Sequence, residues 1–201
     1  MRIQPLHIFI VIKGWLQKTP SLGILLFIAL LSVGCGSTSS VEADLNKIQF
    51  LTKTVEEAHY EIISNWAFPL MTQGLNSLAN SGLFMPGSNA NSIDLMGNTN
   101  HLTVKGDSVS VSLPYFGERR MGGGYGNSDN GISFNGIPDT YSIEWDKKKN
   151  RYVVKMEVKQ KTETLQFIIT VFPSLKADIN VNSTHRTSIR YSGNMRAISE
   201  E

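Results

Sequence analysis

Apolar positions follow two rhythms along this chain, and the change between them falls near residue 60. Leu45, Ile48, Leu51, Val55, Ala58 and Ile62 recur at three- and four-residue steps, which predicts an amphipathic helix over about residues 42–59 that needs a surface to cover. From Tyr60 the period changes. Glu61 to Leu70 is rich in β-branched and aromatic residues and stops at Pro69, as a strand would. Residues 71–92 are dominated by Gly, Asn and Ser with scattered Leu and Met, a long loop or a broken helical turn.

The remainder alternates with period two. His101 to Val104 and Ser108 to Leu113 flank Lys105-Gly106-Asp107, a Gly-containing hairpin turn, and Val109, Val111 and Leu113 alternate with serines. Ile143 and Trp145, then Val154, Met156 and Val158, then Ala177, Ile179 and Val181 repeat the pattern. Thr164 to Phe172 is apolar on both faces at Phe167, Ile168, Ile169 and Val171, which predicts a central strand covered on both sides, one of them by the helix. Short strands at roughly ten-residue spacing predict a mainly β fold with one N-terminal helix, an antiparallel meander forming a sandwich or an open barrel.

Ahead of this domain lies a different kind of segment. Arg2, Lys13 and Lys18 precede an apolar run from Leu22 to Val33, broken only by Gly23 and Ser32. As a helix that run spans roughly 18 Å, short of the ~30 Å hydrocarbon core. An uncleaved anchor would need Leu6 to Ile12 as well, and Lys13, Lys18 and Pro20 interrupt that continuation. The run closes on Leu31-Ser32-Val33-Gly34-Cys35, which resembles the lipobox of bacterial lipoproteins, with Cys35 the lipidated residue. The expected organisation is a lipoprotein signal peptide over 1–34, a lipidated tether over 35–43 and a single β-rich domain over 44–201.

Cleavage changes the charge balance. Residues 1–34 hold three of the 19 Lys and Arg and none of the 17 Asp and Glu, so the mature chain carries 16 against 17. Its basicity belongs to the leader, and no basic stripe remains for a nucleic-acid partner. Lys147-Lys148-Lys149 reads as a solvated turn between strands. Cys35 is the only cysteine, so no disulfide can form within the chain and the core must hold the fold.

Three stretches carry a resemblance. Ser110-Val-Ser-Leu-Pro-Tyr-Phe-Gly117, Gly131-Ile-Ser-Phe134 and Arg186-Thr-Ser-Ile-Arg-Tyr-Ser-Gly193 are similar to the hallmarks of the family catalogued as domain of unknown function 4251. The likeness extends over about residues 43–198. It implies an exported, often lipid-anchored envelope protein of the kind found chiefly in the Bacteroidota, and it supplies no activity. The chain departs from the family in the loop after the first stretch. That loop reads Glu118-Arg119-Arg120-Met121-Gly122-Gly123-Gly124-Tyr125-Gly126, where family members carry further Pro and aromatic residues.

Chemistry must then be sought in the residues themselves. Pro114 ends its strand, and Gly117 would permit a positive-φ turn, so Tyr115 and Phe116 stand on a sharp corner. We expect Phe116 to pack in the core and Tyr115 to be partly exposed with its hydroxyl available. The glycine run at 122–126 lacks the Lys-Ser/Thr and the helix of a phosphate loop. His59, His101 and His185 have no metal-ligand spacing, and Asp107, Asp129, Asp139 and Asp146 sit at predicted turns. No metal, cofactor or catalytic constellation is legible. Two readings stay open: a non-catalytic module binding a small apolar ligand, glycan or peptide near Tyr115, Phe116, Arg119, Arg120 and Tyr125, or a structural or assembly subunit of an envelope complex. Both place the chain at the bacterial outer membrane, facing the periplasm and held to the membrane through its lipid.

Overall fold

The computed structural model describes residues 40–84, 86–121, 131–160 and 162–198; Cys35, the leader, Tyr125 and Asp129 lie outside them. Helix α1 (Ser40–Glu56) leads into β1 (His59–Pro69), and α2 (Gln73–Asn80) and the short β2 (Ile93–Asp94) follow. Then come β3 (His101–Lys105), β4 (Ser108–Leu113), β5 (Ile132–Gly136), β6 (Thr140–Asp146), β7 (Arg151–Gln160), β8 (Glu163–Val171), β9 (Lys176–Ser183) and β10 (Ile189–Ala197). They form one sheet in the order β5-β4-β3-β1-β10-β9-β8-β7-β6, with β2 beside β1, and every pairing is antiparallel. The sheet is therefore an open barrel and not a sandwich.

Its curl can be measured from side chains. Tyr60 on β1 and Tyr141 on β6 are five strands apart, about 24 Å in a flat sheet at ~4.8 Å per strand. Their hydroxyls are 3.2 Å apart. Farther round, Gln160 on β7 donates to the carbonyl of Ser133 on β5 at 2.7 Å, so the two margins of the sheet approach each other.

The period-two pattern places one row of each strand on the concave side. Tyr60, Ile62, Leu102, Val104, Phe167, Ile169, Ile179 and Tyr191 are fully buried there. On β8 that row is enclosed at Leu165, Phe167, Ile169 and Val171, while on the other face Gln166 is exposed, Ile168 is half-buried and Thr170 is buried. The expectation of cover on both sides fails for a physical reason: α1 lies against the concave side.

Even that cover is partial. Leu51 and Val55 are fully buried, but Leu45 and Phe50 are 52% and 48% exposed. The helix stops at Glu56 because Ala58 takes a left-handed conformation (φ 53°) that turns the chain into β1, and Gly106 N–H binds the Ala58 carbonyl at 2.9 Å. Ala58 and Ile62 thus continue the spacing without belonging to the helix. Tyr152 on β7 fixes the helix by donating to Thr52 Oγ1 at 3.2 Å.

The glycine- and asparagine-rich stretch does form a regular helix, α2, capped by Thr72 Oγ1 on the N–H of Leu75. Lys147 to Lys149 occupy the β6–β7 turn, where Asp146 Oδ1 accepts the N–H groups of Lys148 and Lys149. At the centre of the sheet the β1–β10 register shifts between Ser64 and Trp66. Asn100 satisfies this bulge, accepting from Ser64 N–H at 2.8 Å and donating to the Ser64 carbonyl at 3.0 Å.

Candidate functional site

β4 delivers the chain to the corner at Pro114, and β10 together with the segment before it forms the facing wall. Tyr191 is buried and donates its hydroxyl to the Pro114 carbonyl at 2.7 Å. Burial raises the Tyr191 pKa, an effect reinforced by the neighbouring Tyr115. The chain beyond the corner then runs beside residues 185–188. Thr187 N–H binds the Glu118 carbonyl at 3.0 Å, and Arg120 N–H binds the His185 carbonyl at 2.6 Å.

Tyr115 is half-buried with its hydroxyl inside this junction. It lies 2.8 Å from Thr187 Oγ1, 3.0 Å from the Thr187 carbonyl and 3.1 Å from the Glu118 carbonyl. The hydroxyl is committed, contrary to the expectation that it is available. Phe116, expected in the core, is also half-buried and packs against its edge. Gly117 is needed for space and not for a positive φ: a Cβ there would stand 2.5 Å from the Tyr115 hydroxyl and 2.6 Å from Thr187 Oγ1. Replacing Tyr115 with Phe keeps the ring and removes these contacts, and the expected cost is about 1–2 kcal/mol by urea denaturation. A variant as stable as the parent would show that the hydroxyl is merely accommodated.

Beneath the ring lies a charged centre. The Arg186 and Glu163 side chains are only 8% and 11% exposed. Arg186 Nε and Nη2 meet the two Glu163 oxygens at 2.8 and 3.2 Å, and Nη1 donates to the Gly131 carbonyl at 2.6 Å. Ser183 Oγ donates to Glu163 Oε1 at 2.6 Å, and the guanidinium lies 5.3 Å from the Tyr115 ring centroid. Burial pushes the Glu163 carboxyl up, but hydrogen bonds from Ser183 and Arg186 and the charges of Arg186 and Arg119 outweigh it, so its pKa is lowered.

What faces solvent is the rim. Arg119, Arg120 and Met121 are exposed on the strap above the buried pair, Met121 at 62%. The Leu70 N–H binds the Ser188 carbonyl at 3.3 Å, which ties the end of β1 to the same wall. Beside it runs a groove of about 220 Å³ lined by Phe68, Leu70, Asn180, Asn182, Ser188 and Arg190, among others. The Arg190 guanidinium stacks 4.2 Å from the Phe68 ring centroid and pairs with Asp178 at 3.6 Å.

The structure therefore brings together Tyr115, Phe116, Arg119 and Arg120, and Tyr125 lies outside the described residues. Sequence reasoning missed Glu163 and the partnership of Arg186 and Thr187 with the corner; the only signal was that Arg186-Thr187 opens a stretch of family likeness. The histidines are apart: His101 Nε2 meets Ser110 Oγ at 3.1 Å, His59 Nδ1 meets the Glu57 carbonyl at 2.7 Å, and His185 lies in the wall facing the strap.

Comparisons with known proteins bear on this arrangement. A family model described as a domain of unknown function, DUF4251, matches residues 42–195. The crystal structure of a DUF4251 family protein from Bacteroides eggerthii DSM 20697 is similar in fold, with a TM-score of 0.51 and 13% identity, covering 78% of this chain and 91% of that one. No curated protein matches.

Proposed function

Since this chain belongs to the DUF4251 family, a family described as of unknown function, we propose from the geometry of its corner that it is a non-catalytic binding module of the bacterial envelope. Its ligand is an extended polar one, a glycan or a peptide, held on the open rim at Arg119 and Arg120 and the adjoining Phe68–Arg190 groove. The observation that carries this reading is the pairing of a rigid, fully hydrogen-bonded scaffold with an exposed cationic and apolar rim directly above it. Binding residues are commonly set on loops that a rigid frame positions. A small apolar ligand fits less well, because the concave side is filled by Tyr60, Phe167, Tyr191 and their neighbours.

Anchoring through Cys35 is part of the proposal. Its support is the lipobox-like end of the leader, together with a family match that begins at residue 42, at the end of the expected tether. We place the domain on the outer membrane facing the periplasm. The reading as an assembly subunit is favoured by a different feature, the margin of the sheet at β6, which is uncapped among the described residues.

Both parts can be tested in one experiment. The full-length chain is isolated from the detergent-solubilised membrane fraction after growth with labelled palmitate, and co-purifying glycans and peptides are identified. The Arg120→Ser variant should retain parental stability within about 1 kcal/mol, as surface changes do, and lose at least about tenfold of the bound material. Equal recovery from both proteins would rule out the rim. An unlabelled chain in the soluble fraction would rule out the anchor.

A further inference from the structure

The two margins of the sheet are treated differently. On β5, Gln160 Nε2 occupies the Ser133 carbonyl at 2.7 Å, and just before the strand Arg186 Nη1 occupies the Gly131 carbonyl at 2.6 Å. These acceptors are two residues apart, so they point the same way along the strand, and side chains fill both. The strand is also only five residues long and ends on Gly136 at φ 149°. Such capping and shortening are how sheet edges are kept from pairing with other chains.

At β6 none of this is present. Among the described residues, the backbone of Thr140–Asp146 is bonded only by β7 and by its own turn, where Lys149 N–H meets the Asp146 carbonyl. The strand has seven residues, no proline and an unbroken register with β7. Thr140, Tyr141, Ser142 and Glu144 are exposed, and Ile143, Trp145 and Asp146 are half-buried. Its charges are matched within the chain: Glu144 pairs with Lys155 at 3.2 Å and Asp146 with Arg151 at 3.3 Å. A second strand would meet little repulsion there.

We infer that β6 is an interface for a second copy of this chain, joined edge to edge and antiparallel about a two-fold axis through Ile143. The strand is self-complementary in that register. The axis keeps all seven residues paired, sets Ile143 against Ile143 of the other copy, and places Tyr141 opposite Trp145 on the concave face, a favourable aromatic pair. On the outer face Ser142 meets Glu144 and Thr140 meets Asp146, so no like charges stand directly opposed. Seven residues make an interface smaller than the ~1,200 Å² of a stable complex, so the association is weak and depends on concentration. It does not depend on the rim binding a ligand.

Cysteine cross-linking in intact cells reads the contact directly. In the proposed dimer the Ile143 Cα atoms lie within the ~4.4–6.8 Å that a disulfide spans. The full-length Ile143→Cys chain, mildly oxidised, should give at least about ten times more covalent homodimer than either the unsubstituted chain, which controls for Cys35, or an Asn135→Cys chain on the capped margin. If Ile143→Cys perturbs folding, the Ser142→Cys, Glu144→Cys double variant tests the same register at exposed positions. Dimer at the level of the two controls, or cross-linking chiefly to a different protein, overturns the inference.

Discussion

Removing the Glu163 carboxylate by Glu163→Ala will cost about 3–5 kcal/mol of folding stability, because it strands the buried Arg186 guanidinium without its counter-charge. The loss comes less from the missing attraction than from the charge left behind. Arg186 keeps the Gly131 carbonyl and the Tyr115 face, and neither neutralises it. Urea denaturation of both proteins at neutral pH gives the figure, and a loss below about 1 kcal/mol would mean that water reaches the site and solvates the arginine. The pH dependence follows from the same pair. Glu163 is held below the ordinary carboxylate range in the folded chain, so its contribution is fully present above the unfolded pKa of about 4.3 and disappears as pH falls through the lower folded value. The parent should therefore lose more stability than Glu163→Ala between neutral and strongly acid pH. Curves that stay parallel would contradict the lowered pKa.

A single methyl group at Gly193 will be as damaging. The bulge in β1 presses its backbone onto β10, and a Cβ at Gly193 would lie 2.0 Å from the Ile63 carbonyl oxygen and 2.7 Å from Ser64 Cα. Both obstacles are main chain in the middle of the sheet, so no rotamer change relieves them. Gly193→Ala should lose about 3 kcal/mol or more, at or beyond the upper end of ordinary overpacking. The instructive control is Gly82→Ala, where φ is 69° and no atom lies within 4 Å of the added group. There only the backbone conformation is penalised, at about 1 kcal/mol. Equal thermal shifts for the two variants would show that the bulge relaxes.

The two glycines also mark what a sequence can and cannot disclose here. The β3–β4 hairpin and the alternation in β4, β6, β7 and β9 are legible because half-buried strands advertise themselves with period two. Strand β10 is not, since Ile189-Arg-Tyr-Ser-Gly-Asn-Met195 mixes long polar side chains with a glycine whose reason is a bulge on a strand near the other end of the domain. Helix α2 is obscured by a composition poor in strong helix formers, and its threonine cap decides the matter. The corner at Pro114 can be located from Pro and Gly alone. Its role as a junction cannot, because Thr187 and Glu163 reach Tyr115 and Arg186 only after the sheet has curled. The choice between sandwich and barrel is likewise beyond local pattern, for both place the same residues inward.

The position of β10 has a consequence in time. It is the last of the described strands, yet it lies in the middle of the sheet, between β1 and β9, and Arg196 reaches Glu61 across 135 residues of sequence. Until Ile189–Ala197 is available, the strands can form only two separate pieces, β5-β4-β3-β1 and β9-β8-β7-β6, each with an unsatisfied inner edge. Closure waits for Ile189–Ala197, and contacts this distant in sequence form slowly. A nascent chain is thus kept from completing this sheet until Ile189–Ala197 arrives, and the same strand that closes the sheet also delivers Tyr191 to the corner.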